Sequence, residues 1–370
     1  MSLSGQWITR FRGTNTGTLV IDLDDVDDHY EGTACAWDDN LQLPNSLVRI
    51  FTSSKANSHR LVDLPVQLID NLGNFLLPDT IEHLKANGAL LPNTVDVEVD
   101  LQGDNLSVKW TTPIQTSGSA MATKTRGSQQ SDLKPLPVKK WEGFKKYVNS
   151  LDRKKYIFRG QEDSTWRLRT SFHRTGRANL QKYVFQDIPD LQKALSAITP
   201  YLFDLNNPFQ YGAFINLAQH HGYPTPMLDW TWSPYVAAFF AFRNIKMNAK
   251  ISKDKKIRIF KLNISEWNKL PRYDKFFPTW PNVSILNALA FGNTRAVPQQ
   301  SISTITNVDD IESHIQDCEA HSGKSYLEVF ELPASERRHV MQELALMGIT
   351  AGSLFPGLDG ACESLKEQNF

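Results

Sequence analysis

Three polar residues stand in local settings suited to binding or proton transfer. Arg159 ends the run Lys155-Tyr156-Ile157-Phe158-Arg159-Gly160-Gln161, whose β-branched and aromatic residues read as a strand that delivers a guanidinium at its end. An arginine so placed commonly grips a phosphate or carboxylate, and Gly160 lets another backbone or a ligand approach closely. His220 and Asp229 belong to one longer block, from Leu217 to Phe242. It reads as a helix end, a Gly/Pro turn, the short strand around Leu228-Asp229-Trp230-Thr231, and a second helix. Pro234 suits the first turn of that helix, with Ser233 or Thr231 as its cap. His220 is a candidate acid or base because imidazole titrates nearest neutrality. A third block, Asn293 to Thr304, sets Arg295 and the pair Gln299-Gln300 around a short extended run. Each has a plain structural alternative: Arg159 as a surface residue ending its strand, His220 and Asp229 as satisfied buried polar groups.

The elements that must position these residues divide the chain. Residues 1–113 read as short strands and turns. Gly5–Arg12 and Thr18–Leu23 flank Gly13-Thr14-Asn15-Thr16-Gly17, a hairpin turn, and further strands fall at His29–Trp37, Leu47–Thr52, Pro65–Ile69, Thr94–Leu101 and Leu106–Thr112. Their regularity predicts an all-β small barrel or sandwich. Residues 114–138, rich in Ser, Thr, Gly and Pro, read as a flexible linker. From 139 to 370 amphipathic helices alternate with short apolar runs, so the whole is an α+β chain with a mixed C-terminal domain.

Net charge is zero as a sum of opposites. Residues 1–113 hold 7 Lys/Arg against 16 Asp/Glu, a balance of −9, which leaves +9 for the remainder. Such asymmetry implies different partners or mutual contact. Cys35, Cys318 and Cys362 lie far apart without CxxC spacing, so no metal is expected and a reducing, cytoplasmic location fits. The first residues lack a signal peptide's pattern, and no apolar run is long enough to span a bilayer, so no membrane partner is expected.

Taken in order, Phe158-Arg159-Gly160-Gln161, the Gln219-His220 to Leu228-Asp229-Trp230-Thr231 block, Gln299-Gln300, and Phe355-Pro356-Gly357-Leu358-Asp359-Gly360 resemble the FRG domain from about Trp141 to the C-terminus. Pro226 and Ser301 depart from the family's usual arginine and glycine. A weaker resemblance is to ADP-ribosyltransferases: Ile157-Phe158-Arg159-Gly160 is similar to their first strand, and Asp229 to Ser233 followed by Ala238-Phe239-Phe240-Ala241 to their second element. The slot of their glutamate falls near Gln299-Gln300, where glutamine supplies no charge, and Glu328 or Glu331 is a candidate replacement.

The second resemblance implies NAD or a related nucleotide as ligand, and cleavage of its nicotinamide–ribose bond by transfer or hydrolysis. Arg159 would hold pyrophosphate or ribose, with Gly160 and Gln161 beside it. Asp229 and Thr231 would shape the nicotinamide-ribose pocket, Trp230 would stack on a ring, and Gln299, flanked by Gln300, would meet ribose hydroxyls. The alternative is a non-catalytic module that senses a nucleotide or nucleic acid. Residues 1–113 would then recognise a macromolecular target or trigger. By analogy of architecture, such a chain suits bacterial defence against phage.

Overall fold

The computed structural model describes residues 2–152, 154–245, 254–270 and 279–369. The N-terminal part is a closed eight-stranded barrel of sequential antiparallel strands: β1 (Gly5–Gly13), β2 (Thr16–Val26), β3 (His29–Asp38), β4 (Asn45–Phe51), β5 (Ser58–Ile69), β6 (Thr94–Gln102), β7 (Asn105–Thr111) and β8 (Ser117–Thr123), with α1 (Pro78–Ala86) between β5 and β6. Inward-facing Leu19, Ile21 and Leu23 alternate with outward-facing Val20, Asp22 and Asp24 on β2, the period-2 pattern that made these strands readable. Closure makes this a barrel, not a sandwich.

The expected linker is a correction. Ser117–Thr123 forms β8, which pairs with both β7 and β1 and closes the barrel. The chain beyond it is tied down as well: Ser131 Oγ donates to the Glu312 carboxylate at 2.6 Å and Leu136 N–H to the Val329 carbonyl at 2.8 Å. Small side chains hide the strand, because its hydrogen bonds come from its neighbours and not from its own propensity.

The C-terminal part runs α2 (Trp141–Asn149), β9 (Tyr156–Gln161), α3 (Ser171–Arg174), α4 (Leu180–Lys182), α5 (Ile188–Ser196), α6 (Pro208–His220), β10 (Met227–Thr231), α7 (Pro234–Phe242), β11 (Lys256–Asn263) and α8 (Ile264–Trp267). It continues through β12 (Val283–Leu286), β13 (Ser301–Thr306), α9 (Ile311–Ser322), β14 (Leu327–Pro333), α10 (Arg337–Leu346), α11 (Ala351–Leu354) and α12 (Leu358–Asn369). The strands form one antiparallel sheet in the order β12-β13-β10-β9-β11-β14. One face packs Ile257, Ile259 and Phe330 under α2, α7 and α10; the other packs Ile157, Phe260 and Trp230 against α8 and α9.

The contact implied by opposed charge is present. Asp24 of the barrel accepts Arg177 Nε at 2.8 Å and the backbone N–H groups of Ala178 and Asn179 at 2.6 and 2.9 Å, while Glu31 pairs with Lys182. Gln6 donates to the Asn307 carbonyl at 2.7 Å and accepts the Asp309 N–H at 2.9 Å; Trp37 Nε1 donates to the Thr279 carbonyl at 3.0 Å. Among the described residues, no helix is long and apolar enough to cross a membrane.

Candidate functional site

The sheet opens at its centre. β9 pairs with β11 from Tyr156 to Gln161, yet with β10 only at Phe158 and Thr231. Beyond that pair the two strands part, and Arg159 spans the opening by donating from Nη1 to the Asp229 carbonyl at 2.6 Å. Its Nε is buried without a partner. Burial holds this guanidinium below its ordinary pKa; the Asp229 charge opposes that shift and Arg174 adds to it. An unsatisfied buried N–H on a cation costs free energy that an incoming anion would recover.

Gly160 admits a neighbouring backbone. A Cβ there would lie 1.9 Å from the Ala237 carbonyl oxygen and 2.8 Å from the Ala241 nitrogen, so glycine is what lets α7 rest on β9. Pro234 begins that helix, and Ser233 Oγ caps it by accepting the Val236 N–H at 3.2 Å.

Beside the opening lies a cavity of about 430 Å³, within the usual range of small-molecule sites. It gathers Arg159, Gly160, Gln161, His220, Asp229, Trp230, Thr231 and Gln299 from positions up to 140 apart in the chain. Gln161 is 8% exposed and its Oε1 has no partner. His220, half-buried at the end of α6, has its pKa lowered by burial first and then by Arg295 and His221, with Asp229 opposing; its imidazole is neutral at neutral pH.

Residues 154–250 match the FRG domain. The match takes in Arg159, Gln161, His220, Asp229 and Thr231, and leaves the blocks around Gln299 and Phe355 outside it. No curated protein matches the chain. Among solved structures, the chain is similar to a redesigned β-barrel, at 8% identity over 33% of this chain and 91% of that one, with a TM-score of 0.23.

Around the cavity several expected roles change. Trp230 is 3% exposed, its Nε1 donating to Thr304 Oγ1 at 3.0 Å, so its ring is packed within the core and presents little face for stacking. The aromatic face on offer is Trp166, 49% exposed at the cavity's edge. The Thr231 hydroxyl donates to the Gln299 carbonyl at 2.7 Å and accepts the Ser233 N–H at 3.0 Å, which makes it a brace for the β10–α7 turn. Gln299 Nε2 donates to the Leu354 carbonyl at 3.0 Å and so ties the third block to the fourth. Gln300 is exposed, adopts φ 47°, and does not line the cavity.

Asp229 is exposed, not enclosed between its apolar neighbours, and its Oδ1 accepts from Gln219 Nε2 at 2.5 Å. Glu328 and Glu331 sit on β14, with β11 and β9 between them and β10. Glu331 is held by Arg258 at 2.6 Å and Lys256 at 3.3 Å, and Glu328 by Lys261. Neither lines the cavity, so neither replaces the expected glutamate. Its carboxylates are Asp229 and Glu162.

Glu162, Trp166 and Arg174 were not singled out in the sequence. Glu162 directly follows the Phe-Arg-Gly-Gln element, a signal that was there to be used; Arg174 arrives at the end of the one-turn α3 with no motif around it. Among the described residues no carboxylate pairs with Arg174, which lines this cavity and the adjoining cleft beside Tyr223 together with Arg159. Arg295 completes the cationic side, its guanidinium 5.1 Å from the centre of the Phe355 ring.

Proposed function

We propose that the cavity binds NAD or a related nucleotide and cleaves the nicotinamide–ribose bond. The observation that carries this reading is Arg159, a half-buried residue whose buried Nε has no partner and which lines a cavity that also holds Arg174. Phosphate oxygens satisfy both cations, and Trp166 offers a face for a ring. In the cleavage step the bond from ribose C1′ to the pyridinium nitrogen breaks. Its electron pair goes to nitrogen, releasing neutral nicotinamide and leaving positive charge on the ribose. A carboxylate, Asp229 or Glu162, stabilises that charge, and neutral His220 takes the proton from the water or acceptor hydroxyl that adds to C1′.

Binding without turnover is the second reading, favoured by the engagement of both Thr231 and Gln299 in backbone bonds. Incubation of the full chain with NAD, followed by chromatography for nicotinamide, separates the two. Nicotinamide release that Arg159→Ala abolishes supports cleavage; calorimetric binding of NAD without release supports the sensor. Neither binding nor release would overturn both.

A further inference from the structure

The barrel has an interior of its own. Inside it lies a cavity of about 180 Å³, walled by aliphatic side chains such as Leu19, Ile21, Val48, Val97 and Val108 and by the ring of Trp110. Eight strands enclose a space that side chains alone can fill, or that holds one small ligand. Here the filling is incomplete because Ala34 and Ala36 on β3 and Ser46 on β4 face inward where larger residues would meet the opposite wall. An apolar cavity of about 150 Å³ stays free of water and takes up benzene, so this one has room for slightly more.

Its mouth is also defined. In an up-and-down barrel the β1–β2, β3–β4, β5–β6 and β7–β8 connections share one end, and Asn15, Leu43, Leu90 and Thr116 from those four connections all line the cavity. The opposite end is stopped by Leu3, 1% exposed, whose carbonyl accepts from Trp7 Nε1 at 2.9 Å. At the mouth Leu90 is 64% exposed, and α1, carried on the same connection, buries no residue. No residue beyond 117 lines the cavity, so the C-terminal part docks elsewhere on the barrel.

We propose that the barrel is a binding site for an uncharged, largely apolar small molecule of aromatic or branched-aliphatic character, entering past Leu90. Charge is disfavoured by the lining. Its one acidic side chain, Asp38, already accepts from Asn15 Nδ2 at 2.6 Å and the Asn40 N–H at 2.8 Å, and no lysine or arginine is present. The rim hydroxyls of Thr112 and Thr116 bond each other at 2.7 Å. This site is separate from the nucleotide cavity and does not depend on that reading.

The test is a fluorescence titration of the full chain with 1-aminonaphthalene, a compact uncharged probe that brightens in apolar surroundings. Saturable enhancement at one probe per chain is expected. Ala36→Leu, which fills the interior, weakens binding at least tenfold, and Leu90→Asp, a rim change that leaves the core alone, weakens it about fivefold. Arg159→Ala and the exposed Leu346→Asp on α10 leave it unchanged. Should Ala36→Leu melt early, Leu90→Asp decides. No saturable enhancement, or equal affinity in either barrel variant at a native melting temperature, overturns the proposal.

Discussion

The Arg159 guanidinium stands across the opening between β9 and β10 and donates to the Asp229 carbonyl at 2.6 Å, while its Nε is left buried and unpaired. One side chain therefore both bridges two parting strands and offers a charge to the cavity. Arg159→Ala is expected to weaken nucleotide binding at least tenfold, or about 1.4 kcal/mol. Arg159→Lys recovers only part, because an ammonium cannot make both the strand contact and a forked anion contact. Calorimetry with NAD checks this, with melting curves alongside to separate the bridging role.

Asp229 and Glu162 are the carboxylates available to a developing ribose cation. If NAD is cleaved, the isosteric change at the acting one lowers kcat by about 10²–10³ while KM moves little, because charge stabilisation is realised in the transition state. Asp229→Asn should leave the melting temperature unchanged, since Asp229 is exposed. Nicotinamide release by each variant assigns the role; full activity in both would remove the carboxylate from the chemistry.

Three acids meet where the barrel docks. Asp24 is held by Arg177 and two backbone N–H groups and Asp309 by Arg169 at 2.5 Å, but Asp22 has only the Gln6 amide, at 2.9 Å. Burial, with the charges of Asp24 and Asp309 adding and the Gln6 bond opposing, pushes Asp22 up to about 8. The folded chain thus keeps a proton that the unfolded chain has released above about 4. Its contribution is fully present below that pH and is lost as pH rises through about 8. Melting temperatures from pH 5 to 9 should fall more steeply for the native chain than for Asp22→Asn, by at least about 1 kcal/mol, or about 1–2 °C. Parallel curves would place Asp22 in the ordinary carboxylate range.

Opposed charge between the two parts invites the idea that the barrel masks the site at rest, yet no barrel residue lines the nucleotide cavity. Deleting residues 1–124 is therefore expected to leave nucleotide affinity without gain and to lower stability, since it uncovers Trp280 and strands Arg177 and Asp309 without their barrel partners. Melting and binding of the shortened chain, across a salt series, check both halves. Higher affinity after deletion would restore the masking model.

Much of this architecture was readable because apolar and polar residues alternate along the barrel strands, as they do in β2 from Ile21 to Asp24. β8 escaped because Ser-Gly-Ser-Ala-Met-Ala-Thr carries no such signal; Ala122 is buried by closure of the barrel, a property of the whole. The motifs located the cavity, since Arg159, His220 and Asp229 converge there. Roles within it were less legible. Whether Thr231 or Trp230 faces a ligand or the core depends on strand direction and on what lies opposite, and Trp166 reaches the cavity from a loop and Arg174 from the one-turn α3, neither long enough to carry a period.

The bonds from Gln6 to Asn307 and Asp309 join residues some three hundred positions apart, and they bear on how the chain is made. The barrel is complete once Thr123 has left the ribosome, but its docking face is not fully covered until Asp309 follows. At about 5–20 residues per second that interval lasts roughly 10–40 s. Until Trp280 emerges within it, the outward Val20 and Trp37 lack their cover, so nascent chains stalled before that point are the form most open to chaperone capture and to aggregation.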